Sequence, residues 1–473
     1  MKTRISSLAH KAEDGEEVRS SPTYPLPIWL QARRFSLSDA LILLFLSAIL
    51  LIGFTQQLNS DEGRYQCYAF AFWNGTQAIS ELPVQQCEFL THPSDQTAAK
   101  AHEALIESAQ RHRLPAPIVT FLATQSSTAA YHVLPPEYPL LAVLTFSLAL
   151  ITPLAWYQET FAFLLLCIAA FLYLLLLSIS SRGAALAFAV YLALGCFVTA
   201  LGRFDLLPTA CTFGALLWAQ RAKWSRAFFL LALATMIKFY PVVLLVPLLI
   251  VQQRQIKGIW YTWHRYLPLA IFGMTCVLIT ILSLVVNVEG TIAPLSYFRQ
   301  RPLQIESVSA SIVWFISSIS GYPLQYALSY GSRNVFSQFS PLMMQADSAL
   351  FLAGLCFVYW LQWRQKITLA LSFLLTLLVV IVTGKVFSAQ YLIWVTPFVA
   401  YVGGWNKKWL LSWCGISLLT TLIYPFLYNR ALYSPGSHWP DFYETIFVRN
   451  GLLLLSACFL LYLAIRNHFR VSA

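Results

Sequence analysis

The chain has 473 residues, of which 58% are hydrophobic and only 11% charged, and it carries a net charge of +11 with a mean hydropathy of +0.63. Soluble domains carry about 25% charged residues, so this composition excludes an ordinary soluble protein. The basic residues sit mostly in short segments between apolar runs, which is a membrane-topology signal rather than a nucleic-acid one.

Residues 1–37 form a largely polar tail with no cleavable leader pattern. The first apolar run, 38–55, is long enough to cross a bilayer as a permanent anchor. Eleven further candidate spans follow at about 156–179, 184–202, 204–220, 226–238, 240–252, 265–286, 346–363, 367–385, 390–404, 409–429 and 448–466. Two shorter apolar stretches, 139–152 and 308–320, lie between polar loops. Residues 97–111 combine Ala, Glu and Leu in an amphipathic pattern that predicts a membrane-surface helix. No internal repeat is visible.

Charge decides the topology. If 139–152 crossed the membrane, Arg221, Lys223 and Arg226 would face outward. If it is a re-entrant or surface helix, nineteen of the 31 Lys and Arg become cytoplasmic, including Arg182, Arg254, Lys257, Arg265, Arg364, Lys366, Lys407 and Lys408. The second assignment sorts every loop. It makes 308–320 a half-helix on the outer face and places every acid after Asp39 outside or at an outer helix end. The expected fold class is all-α: a polytopic membrane protein of about 12 transmembrane helices with both termini cytoplasmic. A single membrane domain covers 38–466, with outer loops at about 56–155, 287–345 and 430–447, and a C-terminal tail at 467–473.

The nine cysteines form no metal-binding spacing, and seven of them lie inside apolar spans. Cys67 and Cys87 share the first long loop. In an oxidising compartment they could pair; otherwise they are two free thiols.

Twelve cations fall on the outer side against the rule: Arg64, Lys100, Arg111, Arg113, Arg203, Lys238, Arg299, Arg301, Arg333, Lys385, Arg430 and Arg449. A charge at mid-bilayer costs at least about 2.5–3.5 kcal/mol, so such residues default to a functional hypothesis. Structural readings compete with it: an interhelical ion pair for Arg203 and Asp205, snorkelling for Lys238 and Lys385, and simple solvation for Arg299 and Arg301. Five segments far apart in sequence bring charge to one face: Asp61 and Arg64; Arg203 and Asp205; Lys238; Arg299, Arg301 and Glu306; and Lys385. Cations mixed with a few carboxylates at the mouth of a bundle suit a phosphate-bearing ligand. Asp61 follows the first span after a short polar stretch, where a carboxylate could act as general base toward a hydroxyl.

The strings Asp61-Glu62-Gly63-Arg64-Tyr65, Glu137-Tyr138-Pro139-Leu140, Gly202-Arg203-Phe204-Asp205, Lys238-Phe239-Tyr240-Pro241, Arg301-Pro302-Leu303-Gln304-Ile305-Glu306 and Lys385-Val386-Phe387-Ser388-Ala389-Gln390-Tyr391 carry a resemblance. Together with a long first outer loop, they resemble the GT-C glycosyltransferases, specifically glycosyltransferase family 87, and more distantly GPI mannosyltransferases. Leu140 and Ala389 stand where that family usually has proline, and the first loop is longer than usual.

The resemblance implies transfer of a sugar, mannose first, from a polyprenyl-phosphate donor to a glycan or glycolipid acceptor, with inversion, on the extracytoplasmic side of a plasma or endoplasmic reticulum membrane. Asp61 would be the base, and Arg203, Lys238, Arg301 and Lys385 would bind the donor phosphate. Gln304 and Glu306 could bind sugar hydroxyls, and Tyr138 or Tyr240 could stack on a sugar face. Arg64, Tyr65, Glu137, Asp205, Gln390 and Tyr391 complete the substrate-binding candidates. No cofactor or metal is expected, since no Asp-X-Asp string is present. The alternative is a transporter or flippase of a lipid-linked glycan, which calls for midplane charges and paired broken helices.

Overall fold

In the computed structural model, residues 35–56, 61–91, 97–256, 261–429 and 441–466 are described. Both tails, Lys257, Arg430 and most of the third outer loop lie outside them.

Nineteen α-helices are described. The first loop follows α1 (Leu37–Thr55) with α2 (Asp61–Asn74), α3 (Val84–Thr91), α4 (Thr97–Arg111), α5 (Ala116–Thr124) and α6 (Leu140–Ser147). The apolar series continues with α7 (Tyr157–Ile179), α8 (Arg182–Gly195), α9 (Leu206–Gln220), α10 (Trp224–Ile237), α11 (Leu245–Gln255) and α12 (Trp263–Val286). After α13 (Val288–Gln300) and α14 (Val308–Ser320) come the strands β1 (Gln325–Ser329) and β2 (Ser332–Phe336). The chain closes with α15 (Ser340–Trp363), α16 (Leu369–Val382), α17 (Tyr391–Gly403), α18 (Lys407–Thr421) and α19 (Phe442–Ile465).

Six segments are long and apolar enough to cross a membrane: Leu37–Thr55, Leu154–Ile179, Trp263–Val286, Ser340–Trp363, Lys407–Leu427 and Phe442–Ile465. The chain is therefore an integral membrane protein. The expected count of twelve is not reached by helix length. Helices α8, α9, α10, α11, α16 and α17 have only 11 to 15 residues. At 1.5 Å per residue they fall short of a hydrocarbon core of about 30 Å. Their apolar runs continue past the helix as turns. After Gly195 the chain turns through 196–205 before α9 begins, and a 3-10 turn at Tyr240–Leu244 precedes α11.

Short and long helices occupy different places. Nearly every residue of α16 is buried, as expected for a helix that is apolar all round. By contrast, α12 exposes Met274, Val277, Leu278, Ile281, Leu282 and Val285 along its length, a face fit for lipid tails. Of the six short helices all but α11 bury more than half of their residues, so those five form the centre of the bundle. Their early ends leave room there for polar turns.

The sequence also hid a hairpin. Strands β1 and β2 pair antiparallel, with Ser329 opposite Ser332. Tyr330 and Gly331 form the two-residue connection with φ of 53° and 66°, the positive-φ pair that a tight hairpin turn requires. Cys67 and Cys87 are joined as a disulfide that ties α2 to α3. The stretches 139–152 and 308–320 contain the short helices α6 and α14, and 97–111 is helical as expected.

Candidate active site

The site grows from helix ends. At the start of α2, Asp61 and Arg64 project one turn apart on the same face, with Arg64 Nη1 3.9 Å from Asp61 Oδ1. Arg64 Nη2 also pairs with Glu137 Oε1 at 2.6 Å, anchoring the Glu137–Tyr138 turn. The turn ahead of α9 brings Arg203 to Asp61, and the two form an ion pair. Lys238 emerges where α10 stops. Its Nζ donates to Asp205 Oδ1 at 2.6 Å and lies 4.8 Å above the Phe204 ring.

A second wall comes from residues 301–307. Leu303 and Ile305 are buried in a small apolar cluster with Val335, Ile423 and Phe442. Gln304 and Glu306 face the cavity instead, Glu306 from the turn that Ser307 N closes on Gln304 O. Backbone bonds fix the segment on both sides: Ile305 N donates to Arg333 O and Gln304 N to Lys385 O. Gln304 Oε1 accepts from Phe387 N at 2.7 Å, and its Nε2 donates to Ser388 Oγ at 3.1 Å. The tip of the hairpin closes the top. Gly331 lies where a Cβ would sit 3.3 Å from Arg64 Nη1, and Tyr330 O accepts from the Tyr297 hydroxyl.

These groups line a cavity of about 160 Å³. Of the residues singled out in the sequence, Asp61, Arg64, Glu137, Tyr138, Arg203, Lys238, Arg301, Gln304, Glu306, Gln390 and Tyr391 line it. Four do not. Tyr65 is buried behind Tyr138, stacked on Phe146 at 4.3 Å. Asp205 is 1% exposed and faces Lys238, also accepting from Trp394 Nε1. Tyr240 stacks on Trp394 at 3.9 Å rather than presenting a free face. Lys385 donates to the Arg299 carbonyl at 2.9 Å.

Charge in and around the cavity does not cancel. Arg203 pairs with Asp61, Arg64 with Glu137, Lys238 with Asp205, and the buried Arg449 of α19 with Glu306. Among the described residues no carboxylate pairs with Arg301, whose Nη2 donates to Ser332 Oγ at 3.0 Å. Arg203 Nε and Arg301 Nε are buried with no hydrogen-bond partner. Orphaned buried donors are costly, and an anion is one group that would satisfy them. Burial pushes the Glu306 carboxyl above its ordinary range, and the adjacent Arg449 charge opposes that rise. Burial also pushes the Tyr138 and Tyr297 hydroxyls up, so both remain donors. Among the described residues no group of three His, Cys, Asp or Glu side chains could hold a metal ion.

Sequence reasoning did not assign several lining residues: Tyr297, Phe298, Tyr330, Ser332, Tyr424 and Tyr428. The runs around Tyr330-Gly331 do not alternate in polarity, so the hairpin that carries Tyr330 and Ser332 had no clear sequence signal. Arg449 was visible as an outer charge without a partner in sequence.

The fold and cavity together define an integral membrane protein with a charged site set among its helix ends. The model of glycosyltransferase family 87 matches residues 138–389, more than half of the chain, and the chain belongs to that family. Its activity is that of a glycosyltransferase, and its membrane-embedded helical build is consistent with the GT-C type. No curated protein matches the chain. The matched segment holds Arg203, Lys238, Arg301 and Glu306. Asp61, Arg64, Gln390, Tyr391 and Arg449 fall outside it.

Proposed function

We propose that this protein transfers a hexose, mannose in the first instance, from a polyprenyl-phosphate carrier to a hydroxyl of a glycan or glycolipid on the outer face of the membrane. The observation that carries this reading is the convergence of Asp61 with Arg203, Lys238 and Arg301 on one cavity, from four separate segments. A twelve-pass topology with both termini cytoplasmic belongs to the same proposal, since five short apolar helices coincide with expected spans and α11 overlaps the sixth. The Cys67–Cys87 disulfide supports an oxidising compartment for the first loop.

The chemistry follows from the groups present. Asp61 takes the proton of the acceptor hydroxyl. The acceptor oxygen attacks the anomeric carbon, the bond from that carbon to the phosphate oxygen breaks, and the phosphate leaves with the electron pair. Configuration inverts because attack and departure are in line. Charge builds on the leaving phosphate, so cations already in place lower the barrier. In the free protein Asp61 is paired with Arg203. An arriving phosphate competes for that guanidinium and leaves the carboxylate to the acceptor.

The test is transfer of radiolabelled sugar from polyprenyl-phosphate mannose in membranes holding wild type or an equally expressed Asp61→Ala variant. Transfer that vanishes in the variant supports both enzyme and base. Equal transfer by both removes Asp61 as the base. No transfer by wild type with mannose, glucose or arabinose donors overturns the donor assignment and points to a donor outside these three.

A further inference from the structure

Arg449 lies in the second turn of α19 and is 0% exposed. An ionisable group so deep in an apolar helix is expensive, and its partner identifies its work. All of its polar contacts on the 301–307 wall go to one residue. Nη1 is 3.3 Å from Glu306 Oε2, and Nη2 donates to the Glu306 carbonyl at 2.7 Å. Its Nε donates to Asn450 Oδ1 at 3.0 Å, and the guanidinium lies 4.1 Å above the Phe387 ring. Asn450 reinforces the same joint, donating to the carbonyls of Glu306 and Ser307 at 3.1 Å each and to Ser311 Oγ at 2.7 Å. Glu306 lines the cavity beside Gln304, while Arg449 does not reach it.

This is a larger investment than holding a loop requires. Leu303 and Ile305 already pin the segment in an apolar cluster, and three backbone bonds fix its register. A buried guanidinium adds a charge that orients the carboxylate. We propose that Arg449 is a positioning residue, which holds the Glu306 carboxylate against the cavity as the acceptor for hydroxyls of the transferred sugar. The inference rests on the proposed use of a lipid-phosphate sugar. It makes the last described helix part of the site, although the family match ends well before it.

The charged and titratable groups facing Glu306 are Arg449 from α19, Arg203 from the turn before α9, Tyr391 from α17 and Tyr428 beyond α18. Burial raises the Glu306 pKa, and Arg449 is the largest opposing influence. Without Arg449 the carboxyl takes up its proton at higher pH and turns from acceptor to donor.

The experiment compares binding of a short-chain polyprenyl-phosphate mannose with that of the same polyprenyl phosphate lacking sugar, by thermal shift on detergent-solubilised full-length protein. In wild type the sugar adds affinity. In Arg449→Gln and in Glu306→Gln that increment falls roughly tenfold or more, the scale of a charge-assisted hydrogen bond. Binding of the bare lipid phosphate stays, which certifies the fold. Arg449→Lys keeps part of the increment. Raising the pH recovers it in Arg449→Gln but not in Glu306→Gln. A wild-type increment that persists in Arg449→Gln overturns the positioning role and leaves the donor class standing. No sugar increment in wild type overturns both. If Arg449→Gln binds neither lipid, Glu306→Gln decides, and an unchanged increment there overturns the inference.

Discussion

Two carboxylates, Asp39 at the start of α1 and Asp61 at the start of α2, each face an arginine, and they are built for different purposes. At the start, Asp39 is 0% exposed and takes two bonds from Arg182, Nη2 at 2.7 Å and Nε at 3.1 Å. Ser36 donates to it as well, in a capping box, and the Tyr173 hydroxyl completes the set. Both carboxylate oxygens have partners. Beyond the far end, Asp61 meets Arg203 at the edge of a cavity in which buried arginine donors are left over. A closed pair fastens α1 to α7 and α8; an open pair can exchange partners. The difference lies in unmet hydrogen-bonding capacity rather than in charge.

That contrast makes measurable claims. Asp61→Asn is expected to lower kcat by about 10²–10⁴-fold, the worth of a positioned base, with little change in thermal midpoint. Asp39→Asn is expected to do the reverse, lowering the thermal midpoint while kcat per folded molecule holds. Paired melting curves and turnover numbers check both, and a large kcat loss in the Asp39 variant erases the distinction. Next in size, Arg301→Gln removes the cavity-lining cation that, among the described residues, has no carboxylate partner. A fall of roughly 10²–10³-fold in kcat is expected if it stabilises developing charge, read by single-turnover transfer.

A Cys67→Ser change removes a bond that closes a separation of 20 residues. The expected loss is about 2–4 kcal/mol in the stability of the first loop, seen as faster proteolysis between α2 and α3, with wild type in reductant behaving the same way. The smallest effect belongs to Lys385→Met. Its ammonium is spent on the Arg299 carbonyl rather than on the cavity, so a KM change within about threefold is expected, set by one exposed hydrogen bond. A drop as large as that for Arg301 would return Lys385 to the phosphate site.

The class of fold was legible because apolar runs of bilayer length have few other uses. The lengths of the central helices were not. A run such as 196–201 is largely apolar whether it coils or turns, and only its neighbours decide. Gly195 packs so closely on Ser417 that its own Cβ would sit 2.9 Å away, and the helix stops there. In the site, charges were legible because each is anomalous in a greasy chain. Their division between wall and support was not: Asp205 and Lys238 look equivalent in sequence, yet only the lysine lines the cavity. The tyrosines of the rim were hidden by their abundance, since a chain with 23 of them offers no reason to choose Tyr297 or Tyr428.

The disulfide of the first loop has a consequence for biogenesis. Cys67 sits on the same helix as Asp61, less than two turns further on, so the bond to Cys87 steadies the helix that presents the proposed base. Such bonds persist where thiols are oxidised and not in the cytosol. On the proposed topology, a molecule inserted the wrong way round would keep both thiols reduced and its α2 untethered. The oxidation state of this one pair is therefore a chemical record, carried by each copy, of which side of the membrane its loop has reached.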